Sequence, residues 1–384
     1  MKMFKTYKYK LKPNYTQVKC FEQHLGACRY LHNVALEHRI CSYRSAKVSI
    51  SFFDQSKELT QCKKMEGFEW LNDISSEALE GCLKRLDLSF KKFFKGSGFP
   101  KWAKKDKYNS FDFRKRIRIK SNKVRLPKIG YVGFYNSRTF EGKIKRVTII
   151  KELKSWYILF CVEQKPVCRI ESQDVGIDMG VKHLMTTSNG EHIKNPLFLK
   201  VNLKHLRILQ RKLARQKKGS NSREKTKWQI SKLWQKIRRQ RVDYLHKVTT
   251  NLCREYTTIY AEDLKLKNMT KSAKGNMENP GRMVKQKSGL NRSLLDSCIA
   301  QTLAYLEYKT KFQSGIFLKV NPAYTSQKCS CCGSVNKENR KSQSAFQCTS
   351  CSFAENADIN AAKNIQASGR SLSTKRRALA HACA

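Results

Sequence analysis

The apolar positions near the start of the chain change from a period of two to a helical period. Residues 4–11 alternate apolar and basic side chains up to Pro13, which is typical of a strand with one exposed, basic face. Apolar residues then follow one helical stripe over residues 17–45 and a second over residues 75–94, each flanked by basic side chains. We predict a strand and two helices whose basic flanks can face phosphate.

The next segment returns to short alternating runs. Glycine-containing turns separate five predicted strands, at residues 116–119, 123–126, 130–134, 146–151 and 156–162. A series of short strands predicts a small barrel, which the first strand of the chain would close. The helices of residues 14–105, which end in a loop from residue 96 onward, would then be an insertion into this barrel.

An aspartate lies within the next apolar strand. Asp178 is in the middle of residues 175–180, and a buried carboxylate needs a cation or another partner. Residues 184–188 then lead into Asn189-Gly190, a pair that predicts a hairpin with a type I′ turn. A hairpin with an acid in its first strand is typical of the opening of a ribonuclease H-like sheet.

Two long helices are predicted over residues 203–250, around a loop that begins with Lys217 and Lys218. Leucine and isoleucine form the inner stripes, and lysine and arginine cover the outside. A coiled-coil hairpin for a protein partner and a basic hairpin that lies against a nucleic-acid duplex both fit this pattern. The density of positive charge favours the duplex.

The strand predicted at residues 258–264 contains two adjacent acids, Glu262 and Asp263. Neighbouring residues in a strand point to opposite faces of a sheet. Only one of these acids can therefore share a site with Asp178.

The chain then becomes polar before two further elements. Residues 267–292 are basic and contain glycine, which predicts a mobile loop over the acids. A helix at residues 293–312 and a strand at residues 316–320 follow, because the apolar positions return to a helical period and then to an apolar run.

Four cysteines form two Cys-x-x-Cys pairs, Cys329 with Cys332 and Cys348 with Cys351, separated by 15 residues. This spacing is typical of a structural zinc ribbon, in which four thiolates hold zinc tetrahedrally. Two unrelated cysteine pairs in a reduced core fit less well, because the intervening residues are polar. We interpret Cys331, between the first two ligands, as a bystander.

A helix is predicted to begin near residue 356, with Asp358 in its first turn. Taken alone, an acid at this position would be a cap that complements the helix dipole. Together with Asp178 and Glu262, it gives three acids from distant segments. Carboxylates of this kind are what a phosphodiester site with two Mg²⁺ ions about 4 Å apart requires.

The charge balance indicates the class of partner. The chain of 384 residues has 78 Lys and Arg against 30 Asp and Glu, a net charge of +48. Such an excess predicts a protein that works bound to nucleic acid. The length predicts two or three domains. Fifteen cysteines without a disulfide pattern indicate a reducing cytosol, and the lack of a long apolar run predicts a protein that is neither secreted nor membrane-spanning.

Jointly, six segments resemble the TnpB proteins of bacterial insertion sequences, which are OrfB-type proteins related to type V CRISPR effectors. The matching segments are residues 7–13 (YKYKLKP), 25–33 (LGACRYLHN), 176–180 (GIDMG), 261–264 (AEDL), 325–333 (TSQKCSCCG) and 357–362 (ADINAA). Ser352 departs from the family pattern, which commonly has glycine after the last cysteine.

The resemblance implies an α+β multidomain fold. Its parts would be a wedge β-barrel (1–13 and 106–168), an inserted helical recognition lobe (14–105), a ribonuclease H-like (RuvC) nuclease (169–327 and 353–368), a zinc-ribbon insertion (328–352) and a disordered tail (369–384).

The resemblance also implies an activity, RNA-guided cleavage of double-stranded target DNA beside a short transposon-adjacent motif, with a guide RNA from the element's end. Asp178, Glu262 and Asp358 match the family's Mg²⁺-binding catalytic triad, and the four paired cysteines match its zinc site. Arg340 fits a supporting phosphate contact. We expect a monomer in a 1:1 ribonucleoprotein, located in the bacterial cytoplasm and associated with the nucleoid.

The sequence indicates only the regions that would contact the transposon-adjacent motif, and not the individual contacts. Polar helix starts and aromatic side chains suit a duplex. We assign nucleic-acid contacts to Phe52, Phe53, Ser56, Ser76, Glu77, Glu80, Lys84, Lys217 and Lys218. For the residues from Phe52 to Glu80 in this set, a role as a helix cap or a core residue is an equally good explanation.

Three other functions remain open. A relative without nuclease activity would be an RNA-guided DNA-binding repressor, but all three acids are present here. A transposase that joins DNA strands needs a 3′ hydroxyl nucleophile and usually a multimer, and the sequence shows no dimerisation segment. A zinc-dependent DNA binder without a guide leaves the acids unexplained.

Overall fold

The computed structural model describes residues 3–105, 107–114, 117–166 and 173–382, and of residues 375–382 the backbone alone. The chain divides into two compact units, Met1–Lys165 and Pro166–Ala384. The domain boundary predicted between residues 168 and 169 lies outside the described residues. Within the described part, no helix combines the length and the apolar character needed to cross a membrane.

Besides a short 3₁₀-helix at Glu69–Asp73, the described part of unit 1 contains seven strands and three α-helices. These are β1 (Met3–Lys12), α1 (Tyr15–Ala46), α2 (Phe52–Cys62), α3 (Ser76–Phe93), β2 (Ser110–Phe113), β3 (Arg118–Lys120), β4 (Lys123–Leu126), β5 (Gly130–Phe134), β6 (Lys143–Glu152) and β7 (Ser155–Gln164). Helix α1 begins at a capping box formed by Asn14 and Gln17. The predicted first strand and the two predicted helices are confirmed.

The seven strands form one sheet in the order β2-β6-β7-β1-β5-β4-β3. Strand β1 pairs with β7 along most of its length and with β5 at its end, so it joins the two halves of the sheet. Its inward side chains Tyr7, Tyr9 and Leu11 are buried, as the alternation predicted. Strands β2 and β3 are the sheet edges, and the described residues form no ladder between them.

The periodicity does not predict two elements of unit 1. Helix α2 follows a capping box at Ser51 and Asp54, and β2 is a short edge strand with the buried acid Asp112. The Thr148 hydroxyl on β6 donates to this carboxylate at 2.7 Å. With four residues, β2 is too short for alternation of apolar and polar residues to predict a strand. Its partner Thr148 is distant in the sequence and gives no local pattern.

The described part of unit 2 contains seven strands and six helices. These are β8 (Asp174–Met179), β9 (His183–Thr187), β10 (His192–Lys194), α4 (Phe198–Arg215), α5 (Asn221–Glu255), β11 (Thr258–Glu262), α6 (Leu266–Met269), α7 (Val284–Asp296), α8 (Ile299–Phe312), β12 (Ile316–Val320), β13 (Ala345–Gln347), β14 (Ala354–Asn356) and α9 (Ala357–Ala382). The predicted helical pair, which corresponds to α4 and α5, is confirmed.

Five of these strands form a mixed sheet in the order β10-β9-β8-β11-β12. Strand β8 is antiparallel to β9, whereas β11 runs parallel to both β8 and β12. Helix α9 packs closely on one face: a Cβ at Gly176 would lie 2.1 Å from the Ala362 carbonyl oxygen, and one at Gly369 would lie 2.1 Å from the Tyr260 ring. The two glycines thus set the separation between α9 and the sheet.

The turn after β9 is not the type I′ turn that Asn189-Gly190 predicts. Gly190 has a φ of 90°, but Asn189 does not have a positive φ, and type I′ requires both. Asn189 instead donates to the Tyr256 hydroxyl at 2.9 Å. A tertiary contact therefore replaces the local turn preference.

The predicted loop at residues 267–292 and the predicted helix at residues 293–312 are both wrong in their limits. Helix α7 begins at Val284, within the predicted loop, and the helical path breaks at Cys298, whose φ is 52°. The break follows Asp296, which is buried and accepts hydrogen bonds from backbone amides at the start of α4. The contact with α4 thus ends α7 at Asp296, although the apolar periodicity of the sequence continues past this residue.

Helix α9 extends through most of the tail that was expected to be disordered, residues 369–384. It runs to Ala382, and the last two residues lie outside the described part. Arg370 donates to the Asp174 carboxylate on β8 at 2.6 and 2.7 Å. This partner, which the sequence does not reveal, anchors the segment, so the expectation of disorder was wrong for the helical residues.

Candidate active site and metal centre

Asp178 and Glu262 lie next to each other on two parallel strands. The pairing of β8 with β11 ends at Ile177 opposite Ala261, so the acids occupy the next position on each strand. Asp178 faces α9, because Gly176, two residues earlier on the same face, lies directly under that helix. The structure thus brings together two of the three predicted acids.

Asp263, the neighbour of Glu262, is on the other face of the sheet. Its carboxylate lies 3.9 Å from the Lys319 ammonium, and Lys319 is paired with Ala261. Only Glu262 therefore shares the site with Asp178, in agreement with the alternation of side chains along a strand.

Asp358 comes from the first turn of α9. Its backbone amide donates to the Asn356 side chain at 2.9 Å, which caps the helix. Arg340, from the segment between the cysteine pairs, places its guanidinium 3.8 Å from the Asp358 carboxylate and donates to the Gln343 carbonyl at 3.2 Å. One arginine therefore lies beside the acidic site.

The surroundings of Asp178 disfavour its ionisation. Burial, together with the charges of Glu262 and Asp358, raises the pKa of Asp178 to about 7, whereas Arg340 opposes the shift. Burial also raises the pKa of Glu262, against a hydrogen bond from the Thr325 hydroxyl that lowers it. Clustered carboxylates with raised pKa values are typical of a site that binds cations or does chemistry.

The sulfur atoms of the four paired cysteines all lie within 4.8 Å of one another. Cys329 and Cys348 are buried, whereas Cys332 and Cys351 are exposed. The backbone amide of Cys351 is the largest of the influences that lower the pKa of the Cys348 thiol to about 6. Cys331 is exposed and lies outside the group.

Each cysteine pair and the turn that follows it form a knuckle, at residues 329–334 and 348–353. The two knuckles have the same backbone geometry. In each, the amide of the first cysteine donates at 2.8 Å to the carbonyl five residues later. The residue after each second cysteine has a positive φ, 77° at Gly333 and 58° at Ser352. Ser352 therefore adopts the conformation that favours glycine at the position where the family pattern commonly has glycine.

The sequence did not predict that three asparagines around the knuckles are buried. Asn339 is fully buried and links the knuckles, since it donates to the Gln327 carbonyl at 3.0 Å and accepts from the Thr349 amide at 2.9 Å. Asn360 and Asn364 on α9 are also buried. Polar residues in a polar segment give no indication that they are buried. Only their positions near the cysteines and Asp358 could have suggested a structural role for these asparagines.

Seven of the predicted nucleic-acid contacts lie on α2 and α3 of unit 1. The Lys84 ammonium is 5.1 Å from the centre of the Phe52 ring and forms an ion pair with Glu80. Phe53 is 72% exposed, and Ser56 is partly buried on α2. The structure therefore brings Phe52, Glu80 and Lys84 together.

The two predicted contacts at the start of α3 have protein partners. The Ser76 hydroxyl accepts from the Lys63 ammonium at 3.0 Å, and the Glu77 carboxylate accepts from the Arg114 amide at 2.7 Å. These bonds fit the alternative interpretation of the two residues as local structural contacts.

Lys217 and Lys218 are exposed in the loop between α4 and α5. The Ser220 hydroxyl donates to the Lys217 carbonyl at 2.9 Å, which orders the loop backbone. The two ammonium groups thus extend from the tip of a basic helical hairpin.

The donor sets fit the expected metals. Four thiols within mutual reach match the tetrahedral shell of structural zinc, and carboxylates match the oxygen ligands that magnesium prefers.

Three family models match this chain. Residues 159–273 match OrfB_IS605, described as a probable transposase, and residues 300–365 match the Cas12f1-like TNB domain. Residues 1–47 match a model described as a helix-turn-helix domain, although the described part of this segment, residues 3–47, forms β1 and the long helix α1.

Full-length relatives are also similar. The chain is 38% identical to the putative RNA-guided DNA endonuclease InsQ of Escherichia coli K12, over 97% of this chain and 94% of that protein. It is 28% identical to a putative RNA-guided DNA endonuclease of Streptomyces pristinaespiralis, over 95% and 89% of the two chains. A solved structure, the mini-RNA-guided endonuclease CRISPR-Cas_phi3, has 12% identity and a TM-score of 0.47 over 94% and 92% of the chains. Since the match to InsQ covers nearly all of both proteins, the chain belongs to the OrfB_IS605 family of probable transposases, alongside relatives named as RNA-guided DNA endonucleases.

Proposed function

We propose that this protein is a transposon-encoded RNA-guided DNA endonuclease. It binds a guide RNA from the element's end, recognises a short transposon-adjacent motif and hydrolyses target DNA. The observation that carries the proposal is the convergence of Asp178, Glu262 and Asp358 from three distant segments of a chain with a net charge of +48. The names of the full-length relatives support the guide RNA and the DNA substrate.

Asp178, Glu262 and Asp358 would hold the catalytic magnesium ions. When bound, two such ions activate the attacking water and stabilise the leaving 3′ oxygen. A pKa of about 7 leaves Asp178 partly protonated at neutral pH, so cation binding would displace a proton from it. Arg340 beside Asp358 can balance the charge of the acids and contact a DNA phosphate.

We assign the parts of such a nuclease to the two units. The five-stranded sheet with α9 would be the RuvC-like nuclease, and the cysteine knuckles its zinc-binding subdomain. In unit 1, the seven-stranded sheet would be the wedge domain and α1 to α3 the recognition lobe. The position of α1 to α3 between β1 and β2 supports an inserted lobe.

The working particle would contain one chain and one guide RNA in the bacterial cytoplasm, at the nucleoid. In unit 1, the exposed ring of Phe53 would contact DNA bases, and Lys84, which lies beside Phe52 and Glu80, would contact phosphates. In unit 2, Lys217 and Lys218 at the hairpin tip would lie against a duplex backbone.

The test is cleavage of a plasmid library with randomised sequence beside a fixed target, with protein copurified with its native RNA. The expected result is cutting that requires Mg²⁺, the RNA and Asp178, and that enriches one short flanking motif. Asp178→Ala is the matched negative control. RNA-dependent DNA binding without cutting, unchanged by Asp178→Ala, would replace the nuclease by an RNA-guided repressor.

A further inference from the structure

Asn360 ties the start of α9 to the first cysteine knuckle. It is fully buried, its side-chain oxygen accepts from the Ser330 amide at 2.9 Å, and its side-chain nitrogen donates to the Lys328 carbonyl at 2.8 Å. Ser330 and Lys328 flank the zinc-ligand candidate Cys329. The turn of α9 that carries Asp358 is therefore docked on the backbone of the cysteine cluster.

A second set of bonds leads from the same knuckle to Glu262. Asn364, one turn after Asn360, donates to the Lys328 carbonyl at 2.7 Å and to the Thr325 carbonyl at 3.0 Å. Thr325 is itself buried, and its hydroxyl donates to the Glu262 carboxylate. The backbone position of Thr325 is thus fixed by α9 while its side chain orients a carboxylate of the acidic site.

These contacts form one continuous path between the two candidate metal sites. Both polar ends of the buried Asn360 amide are satisfied by knuckle backbone, and such a group specifies one backbone arrangement because any other would leave it unpaired. Zinc at four thiolates is what holds a knuckle in one arrangement. The path is a physical route by which the state of the cysteine cluster can change the orientation of Asp358 and Glu262.

We propose that Asn360 and Thr325 are positioning residues that couple the zinc site to the magnesium site. With zinc at the cysteines, the knuckle backbone holds the first turn of α9 and the Thr325 hydroxyl so that Asp358 and Glu262 bind divalent cations tightly. This inference rests on the proposed function, since it concerns how the same acidic site is organised. Because coupling is reciprocal, cations at the acids also strengthen zinc retention.

A purely structural role for these residues would give a different result. It would lower the stability of the protein but leave the cation affinity of the folded, zinc-loaded chain unchanged. The decisive readout is therefore cation binding to the acids, measured together with zinc content and not through cleavage.

The experiment titrates Mn²⁺, as a probe for magnesium, into the RNA-free, zinc-loaded full chain, and electron paramagnetic resonance reports free Mn²⁺. Asn360→Ala and Thr325→Val are compared with the wild type, and Thr325→Ser tests rescue by a retained hydroxyl. The matched control is Gln366→Ala on the same helix, since Gln366 binds the Asp174 carbonyl at 3.0 Å and not the knuckle. Metal analysis gives the zinc content of every sample.

We expect Mn²⁺ affinity about tenfold weaker or more in Asn360→Ala and Thr325→Val, which is the effect typical of losing an outer contact of a metal site. Thr325→Ser and Gln366→Ala should retain the wild-type affinity. Wild-type affinity in Thr325→Val and in zinc-loaded Asn360→Ala would overturn the proposal. Should Asn360→Ala lose its zinc, it tests the coupling directly, and wild-type Mn²⁺ affinity in that zinc-free variant would also overturn the proposal.

Failure of the proposed function would be distinguishable from failure of this coupling. A wild-type chain that binds Mn²⁺ with the expected coupling but cuts no DNA with its RNA would disprove the nuclease alone. A chain that cuts DNA while Thr325→Val and Asn360→Ala both bind Mn²⁺ like the wild type would disprove the coupling alone.

Discussion

Asp178 and Glu262 occupy equivalent positions on two neighbouring parallel strands, one residue beyond the pair Ile177 and Ala261. This register places two partly buried carboxylates together at the strand ends, and Asp358 adds a third negative charge. Proximity of like charges raises the free energy of the ionised, cation-free site.

The adjacent acids Glu262 and Asp263 should differ sharply in their effect on cleavage. Glu262→Gln is expected to reduce the cleavage rate by at least about 100-fold, the upper end of what loss of even an outer contact of a metal site costs. Asp263→Asn is the matched control, because Asp263 lies on the opposite face beside Lys319. Measured single-turnover rates that are equally low in both variants would contradict the assignment of Glu262.

The raised pKa of Asp178 predicts a pH dependence of stability in the absence of divalent cations. Its pKa in the folded chain is about 7, compared with 3.8 for an unperturbed aspartate. The folded state therefore binds more protons than the unfolded state between about pH 4 and pH 7, so this group makes the protein less stable as the pH rises through that window. Above pH 7 the loss in the free energy of unfolding reaches its full value, which is at most about 4 kcal/mol.

Asp178→Asn removes that penalty. The cation-free variant should be more stable than the wild type at pH 8, and the difference should shrink towards pH 5, as measured by urea unfolding with EDTA at each pH. The variant should also lose most of the stabilisation that Mg²⁺ gives the wild type at pH 8. A difference in stability that does not change with pH would contradict the pKa shift of Asp178.

Gly176→Ala should displace α9 and the Asp358 that it carries. The new methyl group would meet the Ala362 carbonyl oxygen at 2.1 Å, and that atom belongs to the helix backbone and cannot rotate away. We expect a loss of about 1–3 kcal/mol in the free energy of unfolding, typical of overpacking, together with slower cleavage. Gly289→Ala in α7 is the control, since a Cβ there meets nothing within 4 Å and should stabilise its helix by up to about 1 kcal/mol.

Removal of one cysteine ligand should cost the protein its zinc. Cys348→Ser is expected to abolish zinc retention and to destabilise the knuckles, because the small element around them has few buried apolar groups besides the cysteines. Cys331→Ser should retain the wild-type zinc content, because Cys331 is exposed and outside the sulfur group. Zinc analysis and thermal denaturation of the two variants distinguish these outcomes.

The sequence determines much of this protein through short-range patterns. Alternation predicts β1, the helical stripes predict α1, α3, α4 and α5, and the cysteine spacing predicts the sulfur group that the structure contains. These features depend on residues that are close together in the chain, so they can be recognised without knowing the rest of the fold. The sequence also predicted that Asp178, Glu262 and Asp358 share one site, and the resemblance to a known family then matched them to a catalytic triad.

Tertiary structure alone decided the features that join distant segments. The turn at Asn189, the break at Cys298 and the extension of α9 past residue 369 each depend on a partner from another segment, and local propensity does not contain that partner. The same holds for Thr325 and Asn360, whose polar side chains are buried because each has a specific hydrogen-bonding partner. A polar residue in a polar segment looks exposed in the sequence, and only the packed chain shows that its hydrogen bonds organise the site.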